Sequence, residues 1–482
     1  MKKGELTMKK NILKGVSFAL AVMMMVGTVG CSGKDDKSGD DDSARGDKIF
    51  DKYIEGEEVV DLEGYEFKIV DFNTDVWEPE EVDDSRKQLS VDIIDDVEKT
   101  YNCKITVEFV DAKSLYAKAQ PAIMSGDKFA DLVGTTEWAY GQLLAGNLLM
   151  DLSQVETLDL TQDYFNQEIS KLTTINGATY AFSADFDAHL YTQMIMLYNA
   201  SIWEELGLPD PYQLVRDGEW TWDKVVEYAH KASRDYDGNG IVDSESDRWG
   251  MVGGSGDVML SMFASMDGKF YDTNEEGKLY LSCLDATSAE KLNYIVNFFN
   301  NENVLYQREN EGVMDMFAQD KALFMCRINT NNEQLKNMES DFGILPLPKW
   351  NTEQAEYKSY INHNTKIYSI PNTNENTYEA GIIISALARR YQSYLDLGLQ
   401  EFEDVTYRFE EDAEMLRDYI DAYPKYELLD ILRGVNTTIL QPYQVMEDGC
   451  IHKKTPDVVS GIMAYQDAIG IALSEFEGNL GK

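Results

Sequence analysis

Asp235-Tyr236-Asp237-Gly238-Asn239-Gly240-Ile241-Val242-Asp243 carries the sharpest chemistry-bearing spacing in the chain. Oxygen donors at loop positions one, three and five, a glycine at six and an acid at nine let one short loop wrap a Ca²⁺ ion. Asp235, Asp237, Asn239 and Asp243 supply side-chain oxygens, and Ile241 at position seven a backbone carbonyl. Position twelve, where a bidentate glutamate normally closes the shell, is Ser246, flanked by Glu245 and Asp247. A shifted carboxylate closes the shell on this reading, with Asp247 assigned to the metal set. The competing reading is a polar turn, for which Asp, Asn and Gly suit the backbone equally well. In the metal reading Ca²⁺ is a structural staple, because no catalytic pattern accompanies it. The chain has no G-x-S-x-G, no H-E-x-x-H, no P-loop and no Rossmann fingerprint. Acidic residues are so numerous that accidental carboxylate pairs say little about glycosidase chemistry. The expectation is a non-enzyme.

A second chemical signal is Cys31. Lys2, Lys3, Lys9, Lys10 and Lys14 precede an uncharged apolar run from Gly15 to Gly30, which ends at Cys31-Ser32-Gly33. A basic head, a short apolar run, a small residue and then cysteine read as an export signal, and the run is short for a bilayer span. The arrangement resembles a bacterial lipobox, which implies cleavage after Gly30 and a lipid on Cys31, although Thr28 stands where such a box usually has Leu. The stretch that follows, rich in Gly, Ser, Lys and Asp, cannot bury enough apolar area to offset its ordering entropy and reads as a flexible tether. The localisation expected is the outer face of a bacterial cell membrane, with the chain lipid-anchored.

The net charge of −43 repels nucleic acid and anionic headgroups, leaving neutral solutes, metal cations and basic partners. At 482 residues the chain exceeds one typical domain, so two lobes are expected. Seven Trp and 28 Tyr make an exported chain a candidate for stacking on carbohydrate. Cys103, Cys283, Cys326 and Cys450 show no C-x-x-C pair and no metal-ligand rhythm. Export permits disulfides among them, and buried free thiols are the blander reading.

The elements that must position these residues follow from periodicity. Tyr65, Phe67 and Ile69 alternate as one face of a strand. A helix around 90–101, with Ile93, Ile94, Val97 and Tyr101 on one stripe, leads to a strand over 103–109. A helix over 114–125 then precedes a short apolar strand over 130–134. Strand, helix, strand, helix, strand predicts βαβ units and a mainly parallel sheet, hence an α/β fold. Thr221 suits an N-cap, Asp223 suits the positive end of the helix dipole, and Trp222, Val225, Val226 and Ala229 form the expected buried stripe. Pro346 and Pro348 read as an extended crossover.

Six blocks in order resemble the maltose-binding type of extracellular solute-binding protein. They are Ala130-Asp131-Leu132-Val133 with Trp138 and Leu148–Leu152; Met196-Leu197-Tyr198-Asn199; Trp203–Pro209; Glu219-Trp220-Thr221-Trp222-Asp223-Lys224; Lys321–Met325; and Phe342–Pro348. The resemblance covers roughly residues 62–390. It implies a periplasmic-binding-protein-like fold of two α/β lobes joined by a multi-strand hinge, with the ligand cleft between them. The segments expected are a signal peptide over 1–30, the lipidated cysteine and spacer over 31–60, lobe 1 over 61–182 and 343–392, and lobe 2 over 183–342 and 393–482. Crossings between lobes are expected near 181–189, 341–346 and 390–395.

The resemblance also implies a stacking aromatic at Trp138, just past a strand whose C-terminal end faces a cleft. Asp185 and Asp187 fall in the first crossover, Arg327 and Asn329 near the second, where an arginine could clamp hydroxyls or a carboxylate, and Trp350 is a further candidate. The function implied is a monomeric, membrane-anchored substrate-binding subunit of an ABC importer. It would capture a small solute, expected to be an oligosaccharide, by hinge closure and deliver it to the permease transmembrane subunits. The alternatives are an exported glycan-active enzyme, a surface adhesion module, or the same fold binding a peptide.

Overall fold

A computed structural model describes residues 49–481, except 80, 81, 83, 187–192, 244–245, 301–304, 308–311, 330–332, 362–365, 407 and 455–456. Cys31, the spacer up to residue 48, Asp187 and Glu245 lie outside the described residues. Residues 49–60, expected in the spacer, instead pack on the core that holds Phe67 and Ile69, with Phe50 buried there and Glu57 paired with Arg390 at 2.8 Å. This stretch carries apolar side chains that the Asp-rich part lacks.

Eleven strands build the two sheets and their connection: β1 (Tyr65–Asp71), β2 (Cys103–Phe109), β3 (Leu132–Thr135), β4 (Met194–Asn199), β5 (Trp249–Gly253), β6 (Leu305–Gln307), β7 (Ala322–Ile328), β8 (Phe342–Leu345), β9 (Ser359–Tyr360), β10 (Ile367–Ser369) and β11 (Pro424–Lys425). The helices that pack on them are α1 (Ser85–Tyr101), α2 (Leu115–Met124), α3 (Glu137–Ala145), α4 (Trp222–Ala232), α5 (Ser255–Ser265), α6 (Ala286–Phe299), α7 (Thr377–Thr406), α8 (Leu428–Leu432), α9 (Gln441–Cys450) and α10 (Gln466–Asn479).

The strands form two main sheets. The first has the order β10-β3-β1-β2, with β1, β2 and β3 parallel and β10 antiparallel. Phe67 and Ile69 of β1 enter the core shared with α1 and α7, while Val70 turns to the opposite face with α2 and α3. That two-faced burial is why the strand reads as alternating at its start and continuously apolar at its end. Helix α1 begins earlier than periodicity suggests, because the Asp84 carboxylate accepts the Lys87 amide at 2.8 Å and caps it. Asn102, at φ 46°, ends the helix in the left-handed conformation and turns the chain into β2.

The second sheet has the order β6-β5-β7-β4-β8. Strands β5, β6 and β7 are parallel, and β4 runs antiparallel to both β7 and β8. Helix α4 is capped by the Thr221 hydroxyl as expected, but Tyr228 and Ala232 complete its buried stripe and Val226 is only half-buried.

Two boundaries differ from the sequence reading. Gly343–Leu345, assigned to lobe 1, belongs with Phe342 to strand β8 of the second sheet, paired from Phe342 against Asn199 to Leu345 against Met196. All four of its residues are buried, so the segment is held in the second body until after Leu345. Helix α7 runs to Thr406, well beyond the expected end of lobe 1 at 392. Tyr394 and Leu397 still pack on the first body, whereas Phe409 packs on Tyr198 and Tyr212 of the second, so the last crossing falls between 397 and 409.

Elements after this crossing complete the second body. Strand β11 pairs with β9, which packs on α5; α9 packs on α5 and α6; and α10 packs on the hairpin strand Leu279–Leu281. Cys103, Cys283, Cys326 and Cys450 are free and buried, and burial pushes their thiols up, to about 11 for Cys103 and about 12 for the other three.

Candidate functional site

The segment that returns the chain to the first body shows which ends of the two sheets meet. Ile361 bridges to Gln193, the residue before β4, and Lys366 reaches Asp71 at the C-terminal end of β1. Because β4 is antiparallel to β7, its N-terminal end lies at the C-terminal end of β7 and β5. Both sheets therefore turn the C-terminal ends of their parallel strands toward the connection, the edge where α/β sheets place ligands. Phe182, bridged to Tyr368 of β10, sets the outgoing segment alongside the returning one within the first body.

The first body contributes the turn from β3 into α3. Thr136 accepts the Ala139 amide and caps α3, which sets Glu137 and Trp138 in its first turn. Trp138 is 43% exposed, whereas Trp77, Trp220 and Trp222 are essentially inaccessible. An indole left in water at a strand's C-terminal edge has a free face for an apolar ring surface.

The second body contributes α8 and the turn after it. The Arg433 Nε donates to Asp430 Oδ1 at 2.9 Å, and Nη2 lies 2.9 Å from the same oxygen. Tyr360 donates its hydroxyl to Asp430 Oδ2 at 2.9 Å, fixing the carboxylate from the other side. The guanidinium carbon stands 5.1 Å from the centroid of the Tyr443 ring. Burial works against the charge on Arg433, but Asp430 outweighs it and the guanidinium stays firmly protonated.

These two pieces meet directly. Gly434 lies against Trp138 so closely that a methyl group there would fall 1.9 Å from the Trp138 carbonyl oxygen. Burial raises the Glu137 carboxyl to about 7, and Arg433 offsets only part of that rise. A guanidinium, a carboxyl, an open indole and tyrosines gathered at the junction of two bodies can donate to, accept from and stack on a polyhydroxylated solute.

The other sequence-assigned residues are dispersed. Asp185 is pushed to about 7 by burial, with Asp163 and Asp396 as its charged neighbours, both on the first body's side of the hinge. Arg327 donates to the Ile328 carbonyl and lies against Met314; burial lowers its guanidinium to about 10. Asn329 is buried at the end of β7, where its amide donates to the Gln193 carbonyl at 2.7 Å. Trp350 meets Tyr294 edge-on at 5.0 Å and is half-buried against the second body's core. Glu137, Tyr360, Asp430 and Arg433 escaped sequence reasoning. The local signal was the Arg433-Gly434 pair after an apolar run, which has no meaning without its partner helix.

The acidic loop partly gathers as expected. Asp235, Asp237 and Asp247 bring carboxylate oxygens within 4.8 Å of one another. Asp235 accepts the Gly238 and Gly240 amides, Asn239 accepts the Ile241 amide, and Asp247 accepts the Tyr236 and Asp243 amides. The Asp243 carboxylate bonds instead to Ser246, and Ile241 is exposed. Three convergent carboxylates with lone pairs to spare are a donor set that fits a hard, oxygen-seeking cation such as Ca²⁺.

Two α/β bodies joined by several crossings, with strand ends facing a common junction, define the periplasmic-binding-protein fold. The chain belongs to the bacterial extracellular solute-binding protein family, whose profile it matches over residues 83–388. The members are binding proteins rather than enzymes. A search of the curated proteins finds no match. Among solved structures, the substrate-binding protein Lmo0181 from Listeria monocytogenes, in complex with cycloalternan, is 14% identical with a TM-score of 0.52, over 85% of this chain and 99% of that one. The cyclic α-maltosyl-1,6-maltose binding protein from Arthrobacter globiformis is 13% identical with a TM-score of 0.55, over 86% and 100%. UgpB from Mycobacterium tuberculosis, in complex with glycerophosphocholine, is 14% identical with a TM-score of 0.53, over 86% and 98%.

Proposed function

We propose that this protein is the membrane-anchored substrate-binding subunit of an ABC importer, that its solute is a carbohydrate of oligosaccharide size, and that it hands the closed complex to a permease. The observation that carries the reading is Trp138, an open indole just past the C-terminal end of β3, next to the turn at Gly434 that follows the Asp430-held Arg433. Two structural neighbours are named for, or bound to, cyclic glucan-type ligands, which supports a sugar. Charge argues the same way: Asp430 already engages Arg433 and Asp71 engages Lys366, so the junction has little cationic capacity left for a phosphate or carboxylate. The lipid on Cys31 would hold the binding domain at the membrane through the acidic spacer. Ca²⁺ held by Asp235, Asp237 and Asp247 would staple the loop after α4, far in role from the solute. The protein acts as a monomer in this scheme.

A thermal-shift screen of the domain beginning after the spacer tests it, with linear and cyclic oligosaccharides, monosaccharides, peptides and glycerophosphodiesters. A rise in melting temperature with oligosaccharides, which are then recovered intact, is the expected result. A rise with peptides or diesters alone would replace the carbohydrate reading, and a shortened glycan would replace binding with catalysis.

A further inference from the structure

Glu137 and Trp138 stand side by side in the first turn of α3, where the helix leaves the C-terminal end of β3. The indole is open to water, and the carboxyl is half-buried next to it. The helix start favours a negative charge at Glu137, because the amides of the first turn have no partners within the helix. Burial opposes that charge and outweighs the helix, which is why the carboxyl is raised to about 7. Among the described residues its charged neighbours are Arg433, which attracts the carboxylate, and Asp430, which repels it.

Those two neighbours already match each other, since Asp430 holds the Arg433 guanidinium through Oδ1 and the Tyr360 hydroxyl through Oδ2. The groups that face Arg433 from its other side add acid. Tyr443 of α9, under the guanidinium, donates to Glu447 at 3.4 Å, and Asp257 of α5 acts on the same tyrosine. Glu137 is thus left as an acid with no cation of its own, beside a free aromatic face. A protonated amine fits both at once: it lies over the electron-rich face of an indole and donates to a carboxylate. A hydroxyl gains only the hydrogen bond, and an anion is repelled. The net charge of −43 helps a cationic solute arrive.

We propose that Glu137 and Trp138 form a subsite for a protonated amino group, and that the solute is an oligosaccharide containing an amino sugar. The proposal rests on the carbohydrate reading for the rest of the solute and adds the substituent that the site selects. Glu137 is then the specificity-determining residue. It releases its proton to water as the ammonium docks, which leaves a carboxylate and an ammonium in contact.

Calorimetry on the protein at about pH 6.5 tests it with a glucosamine tetramer, its N-acetylated counterpart, a glucose tetramer and tetralysine. The glucosamine tetramer should bind about tenfold or more tightly than either neutral tetramer. Glu137→Gln should erase that ratio without lowering the melting temperature, because an uncharged side chain is what burial already favours there. Glu475→Gln, on the exposed face of α10, should keep the ratio. Affinity for the glucosamine tetramer should also weaken as pH falls from about 7 to about 5.5, since Glu137 must shed a proton that the folded protein holds. The neutral tetramers should show no such slope. Equal affinities for all three tetramers would overturn the subsite and leave the carbohydrate reading intact. A ratio that survives Glu137→Gln would also overturn it, by tracing the preference to overall charge. Binding of tetralysine alone would overturn both the subsite's sugar and the carbohydrate reading.

Discussion

Lys366 Nζ lies 3.0 Å from Asp71 Oδ2, with both side chains buried, and so fastens the returning segment to the C-terminal end of β1. Trp77 donates its indole N–H to the same Asp71 oxygen at 2.8 Å, and Lys366 donates a second bond to the Asn73 carbonyl at 2.9 Å. Lys366→Met would leave a buried carboxylate without its cation, which costs about 3–5 kcal/mol. Urea unfolding should show that loss. Asp71→Asn combined with Lys366→Met should recover part of it, and a double variant no better than the single would argue against the ion pair as the cause.

Stability should fall as pH rises from mildly acidic to mildly basic. Burial raises Glu427 to about 8 and Asp421 and Asp185 to about 7, and it raises Asp412 to about 6. Each keeps in the folded state a proton that the unfolded chain has given up, so folding binds protons across this interval. That stabilisation is complete below the unfolded carboxyl range and lost as pH climbs to about 8. Glu205, Glu227 and Glu414, lowered by hydrogen bonds to Arg248, Lys231 and Arg216, act in the opposite sense and lose their contribution in strong acid. The melting temperature should peak near about pH 5, and Glu427→Gln should flatten its decline on the basic side.

Calcium should raise the melting temperature of the chelator-treated protein. Ligand at a hundred times its dissociation constant stabilises by about 2.7 kcal/mol. Asp237→Ala should abolish the shift, while Asp243→Ala should leave most of it, because the Asp243 carboxylate is engaged with Ser246. A calcium-insensitive wild type would reduce the loop to a turn.

Solute affinity should depend on the junction residues and not on the sheet arginine. Trp138→Ala should weaken binding about tenfold or more, in line with ~1–3 kcal/mol for an aromatic contact. Arg433→Met should cost a similar amount, and Arg327→Met little, since Arg327 lies against Met314. Calorimetry on the four proteins distinguishes these outcomes, and equal losses at 327 and 433 would remove the junction's special standing.

Much of this architecture is legible in the order of residues. The first βαβαβ run, the Thr221 cap and the indole after β3 are all signalled locally, by period, by capping chemistry and by position after a strand. Elements set by distant partners are not. Phe342–Leu345 reads as a crossover because prolines follow it, yet its pairing with Met196–Asn199 and its four buried residues make it a strand. Helix α7 outruns its expected end because Tyr394 and Leu397 keep finding the first body's core. Asp430 and Arg433 acquire their roles only when Tyr360, about seventy residues earlier, arrives beside them. Arg327 looked apt because it ends a strand, but a strand's end has two faces and the sequence does not say which one opens to the cleft.

The four buried thiols bear on how such a protein reaches its place of work. Oxidants and disulfide exchange act on the thiolate, which the folded core withholds at Cys103, Cys283, Cys326 and Cys450. An unfolded chain offers the same four groups at an ordinary pKa of about 8.5, several per cent ionised near neutrality. Members of this family function outside the cell, so burial of the sulfurs competes against the oxidising chemistry met there. Chains that bury the sulfurs first become chemically silent, while those that fold slowly stay open to non-native disulfides. The core thereby makes fast folding a guard against oxidation.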